Sequence, residues 1–194
     1  MKNNRNGKAA IISDADYIKI RKSLKSKKYR LLLDVARFTG ERWGAILQLL
    51  VTDVIDNYGN VRSHITFRAT TRKATSRGDR RTRQVSVHPE LRESFEANPP
   101  RLLQVWMFES PMKPNEPITL RAADLMLRAA LKLARLEHKG YSTHSTRRTF
   151  ITRLWERGVD LHTIQLTTGH QDLKSLVGYV EADPDRVARA IALL

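Results

Sequence analysis

Residues 144–179 read HSTRRTFITRLWERGVDLHTIQLTTGHQDLKSLVGY, and the rest of the chain is best read outward from them. His144 and Arg147 stand three residues apart, so a helix puts an imidazole and a guanidinium on one face, where both can reach one anion. Phe150, Ile151, Leu154 and Trp155 follow at helical spacing, and Gly158 after Arg157 is placed to end that helix. Asp160 caps a second short helix, with Leu161, Ile164 and Leu166 turned inward, until Gly169-His170 breaks it. Asp172 caps a third, which delivers Tyr179. The junctions of three short helices therefore carry His144, Arg147, His170 and Tyr179, with no carboxylate pair among them.

That set suits attack on a phosphodiester by a side-chain oxygen. Arginine gives bidentate contact to phosphate oxygens, histidine moves protons near neutral pH, and tyrosine can form a covalent intermediate. The chemistry needs a second arginine and an acid for the leaving group. Arg42, in Thr39-Gly40-Glu41-Arg42, and Lys73, in a basic loop between two strand-like segments, are the candidates. A two-metal nuclease would need several carboxylates, and Asp172 and Glu181 are the only acidic residues near these motifs, so neither metal nor cofactor is expected.

Composition narrows the partner. The 194 residues carry 35 Lys+Arg against 20 Asp+Glu, net +15, a balance that points to a polyanion and to salt-dependent binding. A basic ribosomal or membrane-surface protein has the same signature. There are no cysteines, which excludes disulfides and cysteine zinc sites. No apolar run approaches the ~18 residues of a membrane span, and MKNNRNGK lacks the apolar core of a signal peptide. A cytoplasmic protein is expected, built as one domain over 12–194 behind a flexible basic arm, residues 1–11.

In chain order, Ser13 caps a helix with Asp16 at its third position and Tyr17, Ile18 and Leu24 on its apolar side. A second helix turns Leu31, Leu32, Val35 and Phe38 inward and ends at Gly40, and a third spans roughly 42–50 through Trp43, Ile46, Leu47 and Leu50. After the turn Asn57-Tyr58-Gly59-Asn60, the alternation of Val61, Ile65 and Phe67, and of Val85 and Val87, predicts two strands. The loop between them, with a turn near Ser76-Arg77-Gly78-Asp79, holds Arg68, Arg72, Arg77, Arg80, Arg81 and Arg83 at its edges and within it. These read as phosphate contacts that position DNA without reading its sequence, or as a solvated basic loop. Pro89 opens a short helix. LLQVWMF (102–108) reads as a buried strand or helix, and Thr119 caps a long amphipathic helix to about His138 with Ala123, Leu127, Ala130, Leu131 and Ala134 inward. Asp183-Pro184 opens a last helix, about 184–194. The fold class is mainly α with a small antiparallel β-sheet (α+β).

The series TGxR, hairpin lysine, HxxR, GH and final tyrosine, in this order and spacing over nearly the whole chain, resembles the catalytic domain of the tyrosine recombinase (phage integrase) family. The resemblance implies a site-specific DNA recombinase in which Tyr179 attacks a scissile phosphate, forms a 3′-phosphotyrosyl bond and frees a 5′-hydroxyl. Arg42 and Arg147 would stabilise charge on the non-bridging oxygens, His170 would bond the same group, Lys73 would protonate the leaving 5′-oxygen, and His144 would assist proton transfer from Tyr179. Arg121, Arg128 and Arg148 would grip the duplex. The implied partners are double-stranded DNA and, on paired sites, a homotetramer in which the last helix can pass to a neighbouring protomer. The implied setting is the nucleoid of a prokaryotic, phage or archaeal-virus host.

Two departures stand against the resemblance. Many members have an acidic residue three positions after the first arginine, where this chain has Ala45; Glu41 is the available substitute. No separate helical core-binding domain of the kind that precedes most catalytic domains is expected within these 194 residues, which are then either an excised catalytic fragment or a naturally short member of the family. A catalytically silent DNA-binding relative, an RNA-binding basic protein and a type IB topoisomerase are the rival readings.

Overall fold

Helix α1 (Asp14–Ser23) begins where the Asp16 amide donates to Ser13 Oγ at 3.1 Å, with Asp14 and Asp16 in its first turn. Helix α2 (Lys27–Thr39) stops at Gly40, whose φ of 58° suits glycine and whose missing side chain leaves room for the Phe150 ring. These elements belong to a computed structural model that describes residues 9–72, 81–170, 173–179 and 192. The turn near 76–79, Asp172 and the helix expected over about 184–194 lie outside the described residues, as does most of the N-terminal arm.

Helix α3 is one turn, Trp43–Ile46, shorter than the sequence pattern implied; past Leu47 the apolar residues are buried from turns, and a 3₁₀ turn, Val51–Asp53, follows. Strands β1 (His64–Phe67) and β2 (Arg83–Ser86) pair antiparallel, with Ile65 opposite Val85 and Phe67 opposite Arg83. Ile65, Phe67 and Val85 face the core, and Arg83 shares that inward face. Helix α4 (Pro89–Glu96) packs on α2. Residues 102–108 form neither strand nor helix: Leu102 and Leu103 are about nine-tenths exposed and only Met107 and Phe108 are buried. Pro99-Pro100 precludes a ladder just before them, and local hydropathy says nothing about which side a turn presents.

Helix α5 (Leu120–Leu133) starts where the Ala122 amide donates to Thr119 Oγ1, and buries Ala123, Leu127, Ala130 and Leu131 as the periodicity implied. It ends earlier than expected, because Arg135 turns to φ 56° and a 3₁₀ turn, Glu137–Lys139, carries the chain to Gly140. Helices α6 (Thr143–Glu156), α7 (Leu161–Thr168) and α8 (Lys174–Val177) are the three anticipated from the quoted stretch, with Gly158 and Gly169 at φ 86° and 65° and Asp160 capping α7 through the Thr163 amide. Ile18 and Leu166, expected to face inward, are exposed; Ile20 takes the buried position on α1 and Ile164 the one on α7. One core joins α1 to α5 and the sheet, and α6 packs on α2 beside it. A second, small cluster of Ile151, Ile164 and Leu176, with Trp155 and Tyr179 against it, joins α6, α7 and the end of the described chain.

Candidate active site

The turn between α2 and α3 carries Glu41 into the interior, where its side chain is fully buried. One carboxylate oxygen, Oε1, accepts the backbone N–H of Arg42 at 2.8 Å and lies 3.7 Å from Arg147 Nη1. The other, Oε2, accepts from Arg83 Nη1 at 2.7 Å and lies 3.4 Å from Arg72 Nε. Arg83 comes from β2, Arg72 from the turn after β1 and Arg147 from α6, so three distant elements meet on one carboxylate. Burial pushes the Glu41 carboxyl up, but Arg83, Arg147, the Arg42 amide and Arg72 outweigh it and hold it below its ordinary value.

Arg147 is the most constrained of these cations. Its Nη1 donates to the Gly40 carbonyl at 2.8 Å and its Nη2 to the Thr168 carbonyl at 3.1 Å, using the last carbonyls of α2 and α7. Burial and then the neighbouring Arg42 and Arg83 push its pKa down to about 10, which still leaves the guanidinium charged at neutral pH. The Trp43 indole N–H donates to Thr146 Oγ1 at 3.1 Å and locks the Arg42 turn onto α6. A Cβ on Gly169 would run into Arg72 Nη2, so that glycine is needed both for its φ and for the approach of Arg72. Three guanidiniums, Arg72, Arg83 and Arg147, thus share one carboxylate, with the charge of Arg42 close enough to bear on Arg147, and among the described residues the Nε atoms of Arg72, Arg83 and Arg147 are buried with no hydrogen-bond partner. A cluster with this excess of positive charge attracts an anion.

His170 lies beside Arg147, with Nη2 at 3.0 Å from Nε2 and 3.3 Å from Nδ1. Burial, and then Arg147, Arg42 and Arg83, push its pKa down to about 3, so the ring is neutral at neutral pH. The Tyr179 ring is tilted 57° to it at a centroid distance of 5.7 Å, and Tyr179 itself is half-buried, held by its amide to the Leu176 carbonyl at 2.8 Å. Cation cluster, imidazole and phenol ring are adjacent.

The structure thus brings together Arg147, His170 and Tyr179, with Arg42 half-buried at the start of α3. His144 lies exposed on the first turn of α6. Lys73, Arg77 and Arg80 lie outside the described residues. Among the arginines expected to hold DNA, Arg81 and Arg121 are exposed, Arg128 pairs with Asp124 at 2.7 Å, Arg148 is buried in α6, and Arg72 is turned into the pocket. Sequence reasoning missed Arg83 as a pocket residue, although its inward parity with Val85 was a visible signal, and it missed Thr168. Among the described residues no group of three or more His, Asp and Glu could hold a metal ion, and no helix is long and apolar enough to cross a membrane.

Comparison with known proteins agrees with this architecture. The family model described as "Phage integrase family" matches residues 10–186. Tyrosine recombinase XerC of Caldanaerobacter subterraneus subsp. tengcongensis is 31% identical over 75 residues, 38% of this chain and 21% of that protein. Among solved structures, XerA recombinase superposes with a TM-score of 0.73 at 18% identity, covering 98% of this chain and 66% of that one. XerH site-specific recombinase, bound to its difH substrate in a pre-cleavage complex, superposes with a TM-score of 0.69 at 20% identity, covering 98% and 55%. At these identities the superpositions show a shared fold. The chain spans less than two-thirds of the length of each of these proteins.

Proposed function

The chain belongs to the phage integrase family, and from that premise we propose that it is a site-specific DNA recombinase working through a tyrosine nucleophile. Tyr179 attacks a scissile phosphate: its oxygen bonds to phosphorus, the bond to the 5′-oxygen breaks, and the 5′-hydroxyl leaves with a proton supplied by Lys73. Attack of a 5′-hydroxyl from a partner strand on the 3′-phosphotyrosyl bond reverses these changes and exchanges strands. The phosphodiester energy stays in the covalent link, so the cycle needs no nucleotide. Arg42 and Arg147 hold the non-bridging oxygens as charge builds in the transition state, where fixed donors count most. His144, on the exposed first turn of α6, serves the proton of Tyr179. The DNA-bound state of the XerH neighbour supports duplex DNA as the substrate, and pairing of two sites in a tetramer is the assembly we expect.

The observation that carries this reading is the cluster in which arginines outnumber their one carboxylate three to one, with Tyr179 beside His170 at its edge. It is tested by incubating the chain with nicked duplexes from its own genetic neighbourhood, quenching with detergent and mapping adducts by mass spectrometry. A DNA adduct on Tyr179, absent from Tyr179→Phe, is expected. Binding without an adduct on any nicked fragment would instead make this a silent DNA-binding relative, a reading to which the buried Ala45 lends weight.

A further inference from the structure

Thr168, fully buried at the end of α7, has its hydroxyl oxygen 2.6 Å from the Ile164 carbonyl oxygen and 2.6 Å from His170 Nδ1. A hydroxyl has one hydrogen to give. The carbonyl has only lone pairs, so two oxygens this close require that hydrogen between them, in the back-bond that helical threonines make to the carbonyl four residues earlier. Towards Nδ1 the Thr168 oxygen is then an acceptor, and Nδ1 must carry a hydrogen.

We infer that Thr168 is a positioning residue that holds His170 in its Nδ1–H tautomer, so that Nε2 presents a bare lone pair until an anion enters the pocket. Arg147 does not occupy that lone pair. Its Nη2 is nearly equidistant from both ring nitrogens, which puts it over the face of the imidazole and off the in-plane axis of either nitrogen. In that position its charge opposes protonation of the ring, as do Arg42 from the α3 turn and Arg83 from β2, while Glu41 favours protonation. Arg72, against Gly169, adds to the cations, and the Tyr179 ring stands tilted beside the imidazole.

A consequence follows for substrate binding, and it rests on the function proposed above. In this tautomer a neutral His170 cannot donate from Nε2 to a phosphate oxygen. A phosphodiester seated among the arginines brings the negative charge that offsets them; Nε2 then takes one proton from solvent and donates it, as N–H, to a non-bridging oxygen. DNA binding is coupled to uptake of one proton at His170.

The tautomer is read directly by ¹⁵N NMR of the full chain labelled at histidine, without DNA at neutral pH, with His170 assigned by difference from His170→Asn. A pyrrole-like Nδ1 and a pyridine-like Nε2 are expected. Thr168→Val, which keeps the shape and removes the hydroxyl, shifts Nε2 towards the pyrrole-like position, and Thr168→Ser restores the original pattern. A pyrrole-like Nε2 in the unaltered chain overturns the assignment, and that spectrum decides even where Thr168→Val fails to fold; an unchanged pattern in a folded Thr168→Val also overturns it. Coupling is measured by calorimetric titration with a short duplex in buffers of different ionisation enthalpy. The unaltered chain takes up about one proton more than His170→Asn, and equal uptake removes the coupling. Neither result depends on a Tyr179 adduct, so loss of the recombinase reading and loss of this one are told apart.

Discussion

Asp34 and Glu41 are both buried carboxylates, one on α2 and one just past its end, yet their surroundings differ in kind. Asp34 accepts from the Tyr17 hydroxyl, from Arg21 Nε at 2.8 Å and Nη2 at 2.9 Å, and from Ser94 Oγ at 3.1 Å, so one guanidinium balances one carboxylate and α1, α2 and α4 are braced together. Glu41 faces three arginines from β2, the turn after β1 and α6, and among the described residues the Nε atoms of all three lack a hydrogen-bond partner. A balanced buried pair has its interactions complete within the fold. An unbalanced one holds cations close against their repulsion and gives back that cost when an external anion arrives.

The contrast can be broken by substitution. Arg147→Ala should slow adduct formation by about 10²–10³-fold, the range for removing one charge-stabilising donor, while costing less stability than Asp34→Ala, because loss of a crowded like charge offsets part of the cost of stranding the Gly40 and Thr168 carbonyls. Asp34→Ala should do the reverse: about 2–3 kcal/mol less stability in urea melts, from three stranded donors, with the folded fraction forming adduct at the original rate. If Asp34→Ala slowed the chemistry and left the melt intact, the division between brace and pocket would fail.

Smaller effects sharpen it. Inorganic phosphate at ten times its dissociation constant should raise stability by about 1.4 kcal/mol, through binding to the folded state only. The gain should vanish in Arg147→Ala and persist in Asp34→Ala; a gain that survived in both would place the anion elsewhere. Stability against pH offers the finest test. His170 has a folded pKa of about 3 against 6.5 in the unfolded chain, so the unfolded state binds the extra proton and stability falls as pH drops through that window. Glu41 is held below its ordinary 4.5, so its contribution is complete above that value and is lost as pH falls through the lowered one. Urea midpoints measured down this range should flatten first in His170→Asn, between pH 6.5 and about 3, and in Glu41→Gln only below about 4.5.

Much of the fold was legible because its signals are local. Ser13, Thr119 and Asp160 cap where the pattern put them, Gly40, Gly158 and Gly169 end helices with positive φ, and Ile65, Phe67 and Val85 alternate as a half-buried strand pair should. The failures have a common cause. Residues 102–108 are apolar but mostly face outward, and Leu166 shares a helix with Ile164 yet lies exposed, because hydropathy does not reveal where a neighbouring element stops covering a surface. Arg83 was misread in the opposite direction: its charge suggested solvent, although its place in the strand alternation pointed inward.

The sequence alone was enough to determine the order of chemical groups, the caps and turns that present them, and the family resemblance they carry. Each of these depends on residues a few positions apart, whose backbone hydrogen bonds and dihedral preferences act without the rest of the fold. Only the tertiary structure decided that Glu41 gathers Arg72, Arg83 and Arg147, that Arg147 lies across the face of His170, and that Thr168 fixes which nitrogen of that ring carries the proton. The arginine pairings span up to 106 residues, from Glu41 to Arg147, and come within ion-pair range only because α2 packs on α6. The Thr168 contact is local in sequence, but its meaning comes from the arginines that the packing sets around the ring.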